Sequence, residues 1–241
     1  MKLQLLSTDR GMKSKSLKRI AEELSSRLHY KVFRTTQVRG DRKQLRYGHQ
    51  MDKLGQYEYF RQKEISSFTF TTDRNQAQAW VNEGKVVFGR KTLVGSQGAG
   101  IVICSTKPGD LAIVPTCRVY TLYIPKKREF RVHIFRNHVV GIVEKRKRQE
   151  HDGPSDSRVR NLANGYVFCQ TVELTAALRQ KIEEVALKAR KLTRSDFAGI
   201  DVGYNQANNN VFVIEVNSAP GIEGSNVNHY CDAIVAEINN A

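Results

Sequence analysis

The tightest constraint on this chain is an alternation of period two. Glu129, Arg131 and His133 alternate with Phe130, Val132 and Ile134. That repeat builds a strand with one apolar and one polar face, and it does not fit a helix. Arg136-Asn137 then offers a tight turn into a second strand over 138–143, so an antiparallel hairpin is expected. Further strand-sized stretches cover 2–6, 30–36, 67–71, 85–88, 100–104, 111–115, 118–124, 197–203 and 211–216.

Helical spacing appears between them. Leu17, Ile20, Ala21, Leu24 and Leu28 form one stripe, which predicts a parallel β-α-β opening. Helices are also expected over 51–64, from Asp73 to about Glu83, over 175–192, and from about Asn226 onward. Residues 37–50 are polar and basic, with Gly40-Asp41 and Gly48, and read as an irregular connection. Residues 146–164, around Asp152-Gly153-Pro154, read as a loop. The class is α+β, a short N-terminal part preceding an antiparallel-rich body.

Composition narrows the function. In 241 residues, 39 Lys and Arg stand against 24 Asp and Glu, a net charge of +15. No apolar run approaches the ~20 residues of a membrane span, and the start lacks the features of a signal peptide. Cys104, Cys117, Cys169 and Cys231 form no CxxC pair and read as reduced thiols of a cytoplasmic protein. The positive surplus calls for an anionic partner: nucleic acid, a nucleotide or an acidic polypeptide. Its densest clusters are 126–128 and 145–148.

Three constellations carry chemistry. On the paired strands near the C-terminus, Val211, Val213, Glu215 and Asn217 are expected on one face, and Gly199, Asp201 and Gly203 on a face of the partner. A hairpin turning near residue 207 then brings Asp201 to Glu215, a hard oxygen site suited to Mg²⁺. Lys91 to Gly100 is glycine-rich between two strands; it lacks the GK[ST] ending of a Walker loop but can offer backbone N–H groups to phosphates. The third is the polar face of Glu129, Arg131 and His133, with Arg158-Val159-Arg160-Asn161 in the following loop, able to reach a phosphate or an oxyanion.

In this order the motifs resemble the ATP-grasp superfamily of carboxylate–amine ligases: Lys-x-x-x-Gly-Ser-x-Gly-x-Gly, Glu-Phe-Arg-Val-His, Arg-Asn, Gly-Ile-Asp, then Glu-Val-Asn-Ser-Ala-Pro-Gly. The ending resembles the branch that adds glutamate to ribosomal protein, and also the short ATP-grasp proteins of phage genomes, for which the compartment would be a host's cytoplasm. The resemblance spans about residues 50–240. It implies an ATP-grasp fold, two α+β subdomains gripping ATP over 49–125 and 126–241, after a shortened N-terminal unit over 1–48. By the same resemblance, Lys53 and Lys91 contact the nucleotide, with Arg90 competing for the second role. Gly95, Ser96, Gly98 and Gly100 cover the phosphates, Tyr123 and Ile124 pass the adenine, and Glu129 meets the ribose. Asp201, Glu215 and Asn217 hold Mg²⁺, usually two ions, with Mn²⁺ as an alternative. Arg131 meets phosphate or substrate, Arg160 and Asn161 face an acyl phosphate, and Ser218–Gly221 line the acceptor pocket. Thr92 stands where many members have proline, and Tyr120-Thr121 replace the usual acid beside the adenine.

The implied function is ATP- and Mg-dependent ligation of a carboxylate to an amine, on a protein, peptide or nucleic-acid-linked substrate. An oligomer is compatible with it. The alternatives are a nucleic-acid-binding protein on an inactive ATP-grasp scaffold, and an ATP-grasp kinase of small molecules.

Overall fold

The computed structural model describes residues 2–48, 51–95, 98–151, 153 and 156–240. Three sheets organise it. The first is parallel, with β1 (Lys2–Ser7) between β2 (Phe33–Thr35) and β3 (Arg42–Tyr47). Between β1 and β2 lie a short α1 (Asp9–Met12) and α2 (Lys15–Leu28). Ser14 caps α2 by accepting from the Leu17 N–H, and His29 ends it in the left-handed region at φ +54°. The stripe of Leu17, Ile20 and Leu24 is buried against Leu3 and Leu5. The segment read as an irregular connection thus contains β3. Only Leu45 and Tyr47 of that strand are buried, so its apolar signal is too thin to see.

The second sheet is antiparallel, in the order β4-β7-β5-β6: β4 (Phe70–Thr71), β5 (Val87–Arg90), β6 (Ile101–Cys104) and β7 (Val119–Leu122). Helix α3 (Lys53–Gln62) precedes it. Helix α4 (Arg74–Asn82), capped by Asp73, packs Ala77, Trp80 and Val81 on Val87, Cys104 and Tyr120. The glycine-rich segment joins β5 to β6. Residues 111–115 form no strand; Leu111 makes a single bridge to Cys104.

The third sheet positions the chemistry. It is antiparallel, in the order β10-β9-β8-β11-β12: β8 (Arg128–Phe135), β9 (His138–Lys147), β10 (Tyr166–Cys169), β11 (Phe197–Asn205) and β12 (Asn210–Asn217). β9 runs through residues 145–147, which the sequence assigned largely to a loop. Helix α5 (Ala176–Arg190) covers one face, with Ile182, Ala186 and Ala189 on Val132, Ile200, Val202 and Val213. Fully burying each large aliphatic there stabilises the fold by roughly 1.5–3 kcal/mol. On the opposite face, α6 (Ser225–Asn239) covers only one end, and Tyr230 and Ile234 share a core with Leu5, Leu17 and Phe197. The rest of that face carries the polar side chains.

The β11–β12 hairpin corrects one expectation. Val202 pairs with Val213 while Asp201 pairs with Glu215, a register shift that makes Ile214 the extra residue of a β-bulge. Val211 and Val213 therefore join the core under α5, and do not share a face with Glu215 and Asn217. In an unbroken ladder with the same turn, Asp201 would face Ile214. The bulge makes an acid its partner.

Candidate active site

Asp201, 1% exposed, lies between two strands that supply its partners. From β8, Arg131 donates to both carboxylate oxygens, Nε to Oδ1 at 2.6 Å and the second nitrogen to Oδ2 at 2.9 Å. From β9, Lys145 Nζ reaches Asp201 Oδ2 at 3.1 Å and Glu129 Oε1 at 2.5 Å. Lys126 approaches the other oxygen of Glu129 at 3.6 Å. On β12, Glu215 accepts from Lys53 Nζ and, at 2.9 Å, from Asn217 Nδ2.

Burial alone would raise both carboxyls, yet each is held below its ordinary range. Arg131 and Lys145 do this for Asp201; Lys53, Lys145 and the Asn217 amide do it for Glu215. Burial would lower Lys145, but Asp201 and Glu129 keep it above the usual lysine range. His133, at the end covered by α6, is driven down to about 3 by burial and by Arg131, so it is neutral. It packs edge-on against Tyr230.

Lys53 reaches the acids because α3 is pinned to the edge of β12. Gln56, one turn further along α3, accepts from the Val216 N–H at 2.9 Å and donates to the Val216 carbonyl at 3.2 Å, as a neighbouring strand would. The Lys53 N–H donates to the Leu93 carbonyl at 3.1 Å, which ties the glycine-rich segment to the same helix. A small cleft results, lined by Lys53, Arg90, Leu93, Gly95, Gly98 and Glu215. A larger groove of about 720 Å³ runs along α3 past Met51, Glu58 and Tyr59, with neither acid in its lining.

The expected residues divide here. Lys53, Glu129, Arg131, Asp201, Glu215 and Asn217 come together. Arg90, the last residue of β5, lines the cleft, whereas Lys91, just past the strand, is exposed. Gly98, at φ +77°, lies against Asn161 and Val159, where a Cβ would come within 3.1 Å of either, so Asn161 meets the glycine-rich loop. Gly100 also has positive φ, at +74°. Ser96 lies outside the described residues. Arg160 is not at the acids: it donates to the carbonyls of Lys126 and Lys127 at 2.9 and 3.1 Å and lies over the Tyr166 ring. Tyr123 stacks on Phe88 at 5.2 Å, and Ile124 follows half-buried. Ser218–Gly221 turns away beside β3, where the Tyr47 hydroxyl donates to the Pro220 carbonyl at 2.8 Å.

Sequence reasoning missed Lys145 and Lys126, which it placed in surface clusters. Alternation within β9 is the signal that finds Lys145, since only every second residue of Lys145–Arg148 can face Asp201. Arg128 and Arg146 share Glu144, so part of each cluster is offset by a neighbouring acid.

Two carboxylates and one amide oxygen gather here, and together they could hold a cation. Asn217 commits its Nδ2 to Glu215, which leaves Oδ1 as the third oxygen; such hard donors suit Mg²⁺ completed by water and phosphate. Among the described residues no group of three or more His, Cys, Asp or Glu gathers to hold a metal.

Known proteins identify the family and the fold. The RimK-like ATP-grasp domain family matches residues 52–239. A probable alpha-L-glutamate ligase of Enterobacter sp. is 30% identical over 142 residues, covering 56% of this chain and 43% of that protein. The ribosomal protein bS6–L-glutamate ligase of Escherichia fergusonii is 27% identical over the same shares. The alignment thus spans less than half the length of these curated relatives. Among solved structures, the ATP-grasp ligase PsnB with minimal precursor, Mg and ADP superposes with TM-score 0.66 at 12% identity, over 98% of this chain and 96% of that one. D-alanine–D-alanine ligase from Bacillus anthracis gives 0.60 at 15%, over 100% and 99%. The fold is therefore ATP-grasp, and the chain belongs to the RimK-like ATP-grasp family.

Proposed function

We propose that this chain is an ADP-forming ligase that joins a carboxylate to an amine, with ATP and Mg²⁺. The observation that carries this reading is the Asp201–Glu215 pair, set opposite each other by the bulge and flanked by Lys53, Arg131 and Lys145. Asp201, Glu215 and Asn217 would hold Mg²⁺, which when bound offsets negative charge on phosphate oxygens. Lys53, Arg90 and the N–H groups of the glycine-rich loop supply the remaining positive charge.

The substrate carboxylate bonds to the γ-phosphorus as the bond to the leaving ADP oxygen breaks. The amine nitrogen then attacks the acyl carbon of that acyl phosphate, phosphate departs, and the amine gives up a proton. We assign the stabilisation of negative charge in the second step to Arg131, because Arg160 is engaged with backbone carbonyls. Two subdomains, 49–125 around the four-stranded sheet and 126–241 around the five-stranded one, would close on the nucleotide. An amino acid or peptide amine is the acceptor class we favour, since the relatives are named for glutamate addition. We place the reaction in the cytoplasm, in keeping with four free cysteines and no helix long and apolar enough to cross a membrane among the described residues.

The test is ADP release and product mass against a panel of acids and amines. Activity should require Mg²⁺, and Glu215→Gln should abolish ATP turnover while the far-UV spectrum stays unchanged. Sustained turnover in that folded variant would overturn the metal assignment.

A further inference from the structure

The N-terminal sheet presents an unexplained face. Parallel sheets are ordinarily covered on both sides. Here Leu3, Leu5, Leu45 and Tyr47 pack against α2 and α6, and the strand register turns Lys2, Gln4 and Leu6 of β1, Phe33 and Thr35 of β2, and Arg42, Gln44 and Arg46 of β3 the other way. Among the described residues, Phe33 joins none of the apolar cores.

This face has a built arrangement. Arg42 on β3 reaches across β1 and lays its guanidinium 4.3 Å over the Phe33 ring on β2, and Lys31 lies 5.3 Å from the same ring. Beneath that bridge Gln4 is 0% exposed, and neither its Nε2 nor its Oε1 has a hydrogen-bond partner. Arg42 Nε is also buried without a hydrogen-bond partner, with the Asp41 carboxylate 3.7 Å away as its ion-pair partner. A buried amide with both atoms unmet costs stability unless something else engages it.

We infer that this sheet face is a binding surface for single-stranded nucleic acid. Its charged side chains are Lys2, Arg42 and Arg46, so a second copy of the same face is repelled, and with only Leu6 and Phe33 apolar among the described strand residues turned this way it offers little to an apolar helix. A base that takes the place of Arg42 over the Phe33 ring would stack there and uncover the Gln4 amide, which, with the half-buried Gln44, offers a donor and an acceptor to base edges that need both. The inference does not depend on the ligase reading, and it gives the +15 charge a place away from the cleft.

The experiment is fluorescence anisotropy of the full chain with an oligothymidylate of roughly 20 nucleotides, titrated with salt. Binding should weaken as salt rises. A Phe33→Ala, Arg42→Ala double variant should bind about tenfold more weakly, the loss of one stacking contact. Lys181→Ala, an exposed cation on α5, should bind within about twofold of the parent chain. Gln4→Leu separates function from structure: it should raise the melting temperature while weakening binding. Glu215→Gln should bind the oligonucleotide as before, which keeps a failure here distinct from a failure of the ligase reading. Absence of salt-dependent binding overturns the inference. So does Gln4→Leu binding with full affinity, or polyglutamate competing as well as the oligonucleotide through the same residues.

Discussion

The two faces of the five-stranded sheet share a backbone and differ in almost everything else. Under α5, neighbouring strands bring Val132, Ile200, Val202 and Val213 into one dry layer, where each side chain contributes by leaving water. On the other face the same strands bring Glu129, Arg131, Lys145, Asp201 and Glu215 together. There each charge is tolerable only because another opposes it, so removing one strands its partners. The first face holds the fold, and the second holds a charge balance that substrate and cation can reset.

Adjacent residues test this contrast most severely. Asp201→Ala should lose activity altogether and also cost about 3–5 kcal/mol, because Arg131 is left buried without its carboxylate partner and Lys145 keeps only Glu129. Its neighbour Ile200→Ala should cost a similar ~2–5 kcal/mol by opening a cavity, yet keep turnover per folded molecule. Denaturant melts paired with ADP-release assays read both; equal loss of turnover in the two variants would erase the distinction.

Within β9 the contrast is two residues apart. Lys145→Ala should slow turnover by about a hundredfold, and the exposed Lys147→Ala should leave it unchanged. At the end of β5, Arg90→Ala should raise KM for ATP by about tenfold, with Lys91→Ala within about twofold, as initial rates against ATP concentration would show. The smallest effect concerns acid. Because Asp201 and Glu215 titrate below their unfolded range, their stabilisation is complete above pH ~4 and is lost as pH falls through the folded values. Glu215→Gln should therefore flatten the acid limb of the melting curve, and Ile200→Val should not.

Much of this was readable in the sequence because periodicity reports one-sided burial. The α2 stripe, the β8 alternation and the acids of the last hairpin all carry strong patterns. What escaped follows from weaker signals. A bulge leaves no mark on composition, so Val213 and Glu215 looked like neighbours on one face although Ile214 separates them. β3 buries two side chains and turns a basic face outward, so it resembled a linker. The run Lys145–Arg148 looked like one solvated patch because the eye groups like charges, while a strand sends them in alternate directions. Arg90 and Lys91 could be separated only by knowing which side of β5 meets the cleft.

The grip of Gln56 on β12 has one more consequence. β12 is the last strand of its sheet, and an outer strand with idle amides and carbonyls invites another chain to add on. Here the Val216 N–H and carbonyl are taken by Gln56, the Val213 N–H by the Ser66 carbonyl, and the Val213 carbonyl by the Ser67 hydroxyl. The side chain that aims Lys53 therefore also helps, with Ser66 and Ser67, to close the sheet edge against another chain. One amide thus both aims Lys53 and covers part of an open sheet edge.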